Sequence, residues 1–136
     1  MKLLIDTNVI MDVLQKRQPF YRESKKVCEC CELGLVDGFI SSLSIANIVY
    51  VLRRSIDSEN VESLVEMIDL LFIVEDTKRI DIVKAAGSKW RGYEDSIQHQ
   101  IAKRLKLDYI VTRNTKDYAG SDIPAITPGQ AITIMS

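Results

Sequence analysis

The sequence predicts an α/β fold around a central parallel sheet of four or five strands flanked by helices, and three features predict it. Short apolar runs alternate along the chain with longer stretches of helical periodicity. The first of those runs, Leu3-Leu4-Ile5, is unbroken rather than alternating, as in a strand buried on both faces. The 136 residues contain no repeat, low-complexity tract or linker, and that length fits one domain with its own core. Right-handed crossovers between the strands follow from such an arrangement.

The elements can be justified in order. Leu3 to Ile5 is the first strand, and Asp6 ends it. Val9 to Gln15 reads as a short helix, broken at Arg17-Gln18-Pro19-Phe20. A second helix runs from Tyr21 to Leu33, with Ser24, Val27, Cys28 and Cys31 at helical spacing and Gly34 as its stop. Gly38 to Ser41 is the next strand, and Ser42 or Ser44 can cap a helix that carries Ile45, Ile48, Val49 and Leu52 on its apolar face. Ser58 to Leu71 is helical, Phe72 to Val74 a third strand, and Asp81 to Trp90 a helix that Gly87 weakens. Tyr93-Glu94-Asp95 opens an amphipathic helix with Ile97, Ile101, Ala102 and Leu105 in register. Asp108 to Thr112 is a fourth strand, Ala125 to Thr127 a short fifth, and Pro128 enters a final helix. Thr115 to Pro124 has no pattern and reads as an irregular loop.

Composition narrows the function classes. Hydrophobic residues make up 46% and charged residues 27%, the balance of a water-soluble globular protein. No apolar run reaches the length of a membrane span and no signal-peptide pattern opens the chain, so a cytoplasmic location without membrane contact is the expectation. The net charge of −1 excludes coating of nucleic acid by bulk charge, so any such contact must be local. Cys28, Cys30 and Cys31 include a C-x-x-C spacing, but the lone histidine, His99, cannot complete a zinc site. They read as reduced, buried thiols.

The acidic residues carry the chemistry. Ligands of open α/β sheets bind beyond the carboxyl ends of the strands, which is where Asp6 stands. It can equally cap the first helix. Glu94-Asp95 at a helix start and Asp117 shortly after the fourth strand can reach the same edge. Clustered carboxylates repel one another unless a cation compensates, and oxygen ligands favour Mg²⁺ or Mn²⁺.

Four pieces, Asp6-Thr7-Asn8-Val9, Ser41 to Arg54, Glu94-Asp95 with Ala102 beyond it, and Ile110-Val111-Thr112-Arg113-Asn114-Thr115-Lys116-Asp117-Tyr118, together resemble the PIN-domain ribonucleases. That family includes the VapC-type toxins of bacterial toxin–antitoxin modules. The resemblance covers essentially the whole chain and implies a single PIN-like domain over residues 1–136 that hydrolyses RNA with Mg²⁺ or Mn²⁺. Asp6 matches the family's first acid, Asp95 its third, and Asp117 the acid that often closes the final motif, where some members place an acid at the position of Asn114. The second acid, usually a glutamate, falls at Asn47. The resemblance therefore implies Asp6, Asp95 and Asp117 as catalytic metal ligands, with Asn47 offering a carbonyl and Glu94 or Asp12 the missing charge.

Around that set, Thr7, Asn8, Thr112 and Asn114 can hydrogen-bond the carboxylates or serve as caps and turns. Arg113 and Lys116 are the expected RNA phosphate contacts. A small antitoxin and a homodimer are the partners the resemblance implies, with Phe20, Tyr21, Tyr50 and Trp90 available to an interface or to the core. The competing class is a catalytically weak PIN-like protein that binds RNA, a nucleotide or a protein, which Asn47 and Asn114 favour. A phosphoryl-accepting receiver domain needs adjacent acids at the first strand and a lysine past the fifth, a set the chain lacks.

Overall fold

The computed structural model describes residues 1–136. Five strands, β1 (Lys2–Ile5), β2 (Asp37–Ser41), β3 (Ile73–Glu75), β4 (Tyr109–Val111) and β5 (Ala125–Ile126), form one sheet in the order β3-β2-β1-β4-β5. Every pairing is parallel, and β1 lies at the centre. Seven helices surround the sheet: α1 (Thr7–Leu14), α2 (Tyr21–Glu32), α3 (Ser42–Leu52), α4 (Ser58–Leu71), α5 (Arg79–Ser88), α6 (Tyr93–Arg104) and α7 (Pro128–Met135).

The unbroken apolar run of β1 is explained by two-sided burial. Leu3, Leu4 and Ile5 are all 0% exposed. Leu3 and Ile5 join the larger core under α1, α2, α3, α4 and α7, whereas Leu4 joins Phe39, Ile110, Ala102 and Tyr118 on the opposite face. Alternation along a strand sends neighbours to opposite faces, so a strand with helices on both sides must be apolar throughout.

Several boundaries differ from the sequence reading for local reasons. Asp6 caps α1 from its N-terminal side, so that helix begins at Thr7 rather than Val9. Phe72 ends α4 and is buried in the core, which moves β3 one residue on, to Ile73. Asp81 lies inside the first turn of α5, where its carboxylate accepts from the Lys78 N–H at 2.9 Å, so that helix starts earlier, at Arg79. It stops at Ser88 because Lys89 takes a left-handed conformation with φ 57°. The segment read as a loop contains a 3₁₀ turn at Thr115–Tyr118.

Cys30 and Cys31 are buried and Cys28 is half-buried, all three as free thiols. Burial, the largest cause, pushes Cys28 and Cys31 up to about 12, which keeps them protonated. No helix is long and apolar enough to cross a membrane.

Candidate active site

From β1 the sheet grows through β2 and β3 on one side and through β4 and β5 on the other, so the topological switch point lies between β1 and β4. A parallel α/β sheet opens its crevice there, at the carboxyl ends of the strands. Ile5 pairs with Val111, and Asp6 continues the ladder by donating its N–H to the Val111 carbonyl at 2.9 Å. Asp6 and Thr112 are therefore delivered side by side to the mouth of the crevice.

The Asp6 carboxylate is 6% exposed and is held entirely by neutral donors. Its Oδ1 accepts from the Thr7 N–H at 2.8 Å, which is the helix cap. Its Oδ2 accepts from the Thr112 hydroxyl at 2.8 Å, the Tyr118 hydroxyl at 3.2 Å and the Asn8 amide at 3.4 Å. Cap and crevice carboxylate, posed as alternatives by the sequence, are thus two oxygens of one side chain. Burial raises the Asp6 pKa above the usual carboxylate value, the hydrogen bonds from Thr112, Thr7 and Tyr118 oppose that rise, and the charge of Asp117 adds to it.

The Thr112 hydroxyl accepts from the Asn8 amide and from the Asn114 N–H, both at 3.1 Å, which commits its single proton to Asp6. Asn8 also accepts from the Arg113 N–H at 3.2 Å through its carbonyl oxygen, so one amide ties α1 to the segment after β4. Thr7 turns its hydroxyl away from Asp6, onto Ser44 at 2.8 Å. Ser44 accepts there from buried Gln98 as well, at 2.6 Å, a polar brace between α3 and α6.

Asp95 occupies the first turn of α6, and Asp117 the exposed 3₁₀ turn. Asp95 is pushed up to about 6, first by burial, then by the charges of Asp6 and Asp117, with a smaller contribution from Glu94. Tyr118 is 3% exposed, and its hydroxyl donates to Asp6 while feeling the charge of Asp95 as well. Burial and those two carboxylates hold its proton firmly on the phenol. Gly92, the N-cap of α6, leaves room for this group: a Cβ there would stand 2.7 Å from Asp95 Oδ2. Glu94 is exposed and accepts from the Asn47 amide at 3.4 Å, so the asparagine at the second acidic position faces an acid from α6.

Two expectations are corrected. Asp12 is neither a solvated helix residue nor a source of charge for the acidic group. It is 0% exposed, with Arg113 Nε at 2.7 Å and Ser24 Oγ at 3.2 Å from its Oδ2. Arg113, expected to contact phosphate, is engaged by that ion pair, and its guanidinium lies 4.1 Å over the Phe20 ring. A buried carboxylate needs a partner of opposite charge, and Arg113 on Oδ2 is the close one, with Arg17 at 4.0 Å from Oδ1. The basic groups facing the acidic cluster are instead Lys116 and Arg91. They line a cleft of about 520 Å³ together with Asp95, Asp117, Gly92, Gly120 and Trp90.

Asp6, Asp95 and Asp117 form an all-oxygen, mutually repelling group, which fits a hard divalent cation. No three acidic, histidine or cysteine side chains converge on one point. The fit is thus to an ion held by one or two carboxylates with water completing its shell, the usual habit of Mg²⁺.

The model of the PIN domain family matches residues 2–116. Ribonuclease VapC1 of Aquifex aeolicus is 24% identical over 131 residues, spanning 93% of this chain and 90% of that protein. Among solved structures, FitAcB from Neisseria gonorrhoeae superposes with a TM-score of 0.67 at 18% identity, covering 93% of this chain and 98% of the other. A toxin–antitoxin complex from Klebsiella pneumoniae gives 0.67 at 23% identity, covering 93% and 97%.

Proposed function

The chain belongs to the PIN domain family, and on that premise we propose that residues 1–136 form one PIN domain acting as a divalent-metal-dependent endoribonuclease, the toxin of a toxin–antitoxin pair. The observation that carries this reading is the acidic group at the switch point, where Asp6 and Asp95 both hold their protons more tightly than usual, through burial and the charge of neighbouring carboxylates, and no arginine or lysine is bound to Asp6. Its likeness to a protein named as a ribonuclease supports the reaction class.

Asp6 and Asp95, aided by Asp117, would hold a Mg²⁺ or Mn²⁺ ion. When bound, such an ion acidifies a water and neutralises charge on the scissile phosphate. The chain's own contributions are positional. Thr112 and Tyr118 fix Oδ2 of Asp6, the Thr7 N–H fixes Oδ1, and Asn8 locks the Thr112 hydroxyl. Lys116 and Arg91 attract the phosphate backbone to a cleft that would otherwise repel it. Asn47 supplies a neutral oxygen at the second acidic position, with Glu94 beside it.

A second reading is favoured by Asn47 and Asn114: a weak or inactive member that binds RNA, a nucleotide or a protein. One experiment separates the two. Purified protein is incubated with labelled single-stranded RNA in Mn²⁺, beside an EDTA control and an equally purified Asp6→Asn variant. Metal-dependent cutting that vanishes in the variant supports the nuclease; equal behaviour of both proteins refutes it.

The partners belong to the same proposal. A small antitoxin covers the acidic cleft, and two copies associate in the cytoplasm. Neighbouring folds solved as toxin–antitoxin assemblies support the antitoxin. Sedimentation at working concentration tests the homodimer, and a monomer alone would refute it.

A further inference from the structure

We infer that Trp90 is a nucleobase subsite, receiving a base of the RNA beside the scissile phosphate; this deepens the nuclease reading and rests on it. Trp90 lies in the connection between α5 and α6, two residues before Gly92, and lines the same cleft as Asp95, Asp117, Lys116 and Arg91. Its ring is only partly buried, and no hydrogen bond within the protein uses its indole N–H. A large aromatic surface with an unused donor at the edge of an acidic and basic cleft is what a base can exploit by stacking and by one hydrogen bond.

Two aromatic neighbours brace the ring. His99 lies parallel to it, with centroids 4.8 Å apart and planes at 10°. The Asp122 N–H donates to His99 Nε2 at 3.1 Å, and the buried Nδ1 has no partner in the protein. His99 is thus committed to a face of the indole while its second nitrogen goes unused. Tyr118 meets the ring edge-on at 6.1 Å and 81°. The same Tyr118 donates to Asp6, so the indole and the first acidic residue share one rigid support. Gly120 lies beside the indole nitrogen, where a Cβ would stand in contact with Nε1 at 3.4 Å.

The occupant follows from the surrounding charge. Asp95 and Asp117 repel a free anion, whereas Lys116 and Arg91 favour phosphates on a chain passing the cleft. A polynucleotide that presents a base to Trp90 and phosphates to the two cations satisfies all of these groups. Single-strand binders combine cationic grooves with aromatic platforms in this way.

Trp90 is the only tryptophan of the chain, so its fluorescence reports this position alone. The wild-type protein is titrated in Ca²⁺ with a short single-stranded RNA and with a ribose-phosphate oligomer of equal length lacking bases. A fluorescein on each oligomer reports binding independently through anisotropy. The expected result is quenching of Trp90 by the RNA, with the baseless oligomer binding roughly tenfold more weakly and leaving the emission unchanged. Trp90→Ala should show the same tenfold loss, and Trp90→Phe, which keeps a stacking face, should recover most of it. The wild-type comparison stands by itself if the alanine variant does not fold. RNA binding with no Trp90 response, or equal affinity for both oligomers, overturns the subsite and leaves the nuclease reading standing. No binding by either signal overturns both.

Discussion

Asp6 caps α1 and Asp12 lies within it, six positions on, and both are buried, yet they are treated in opposite ways. Asp12 is paired with Arg113 at 2.7 Å, as Asp81 is with Arg104 at 2.9 Å on the other side of the molecule. Asp6 has only hydroxyl and amide donors, and the charged side chains that act on it or feel it are Asp117 and Asp95. The fold evidently can supply an arginine to a buried carboxylate. Withholding one at the switch point leaves negative charge that only a cation or shared protons can compensate. A carboxylate matched by an arginine belongs to the scaffold, and one left with neutral donors belongs to the chemistry.

Exchanging the carboxyl groups breaks this comparison most directly. Asp6→Asn should lower metal-dependent RNA cleavage by at least about a hundredfold, since loss of a ligand exceeds the 10–100-fold effects typical of its outer partners. The same variant should unfold in urea close to the wild-type midpoint, because the loss of a repelling charge offsets the clash between its amide N–H₂ and donors that faced a carboxylate oxygen. Asp12→Ala should do the reverse. It strands the Arg113 guanidinium, and breaking a buried pair costs about 3 kcal/mol, read as a lower urea midpoint. An Asp6→Asn protein as destabilised as Asp12→Ala would mean that both acids are scaffold.

Proton and cation compensation can be set against each other. Asp95 sits at about 6 in the native protein, above its ordinary value of 3.8, so the folded state binds its proton more tightly than the unfolded chain. Protonation therefore stabilises the fold: that contribution is complete below about pH 4 and is lost as the pH rises through about 6. Mg²⁺ requires the deprotonated form, so its stabilising effect should grow over the same interval. Thermal unfolding with and without Mg²⁺ should show a larger metal-induced rise in Tm at pH 7.5 than at pH 5. Equal shifts would detach Asp95 from the ion.

The same contrast explains what the sequence could convey. Leu3-Leu4-Ile5 announced a strand with two covered faces because alternation is absent, and a local pattern suffices for that. Asp6, Asp95 and Asp117 fall at one edge in the sequence because each follows a strand or opens a helix. The partner of Asp12 was not legible: Arg113 lies 101 positions away, and its adjacency to the final motif suggested a phosphate contact. Tyr118 stood in the motif beside Asp117, but nothing local indicates that its ring is buried and its hydroxyl turned back onto Asp6. Trp90 and His99 likewise meet only through the packing of the α5–α6 connection onto α6. Helical and strand periods report which face is covered, not which distant side chain covers it.

The smallest expected effect sharpens the comparison on the cationic side. Lys116 and Arg113 are three residues apart, and a motif reading assigns them one role. Arg113 has a side chain only 21% exposed, with its Nε on Asp12 and its plane on Phe20, whereas Lys116 is exposed in the cleft. Lys116→Ala should weaken binding of single-stranded RNA a few-fold at low salt, reduce the slope of log affinity against log salt by somewhat under one, and leave the urea midpoint unchanged. Arg113→Ala should lower the midpoint, because it leaves the buried Asp12 carboxylate with only the distant Arg17, 4.0 Å away, as a cation. Measured under conditions where both variants are folded, Arg113→Ala should keep the wild-type salt slope. A slope that falls with Arg113→Ala and holds with Lys116→Ala would reverse the assignment and route the RNA over α2 and the start of α7, where Phe20, Arg113 and Gly129 share a smaller cleft.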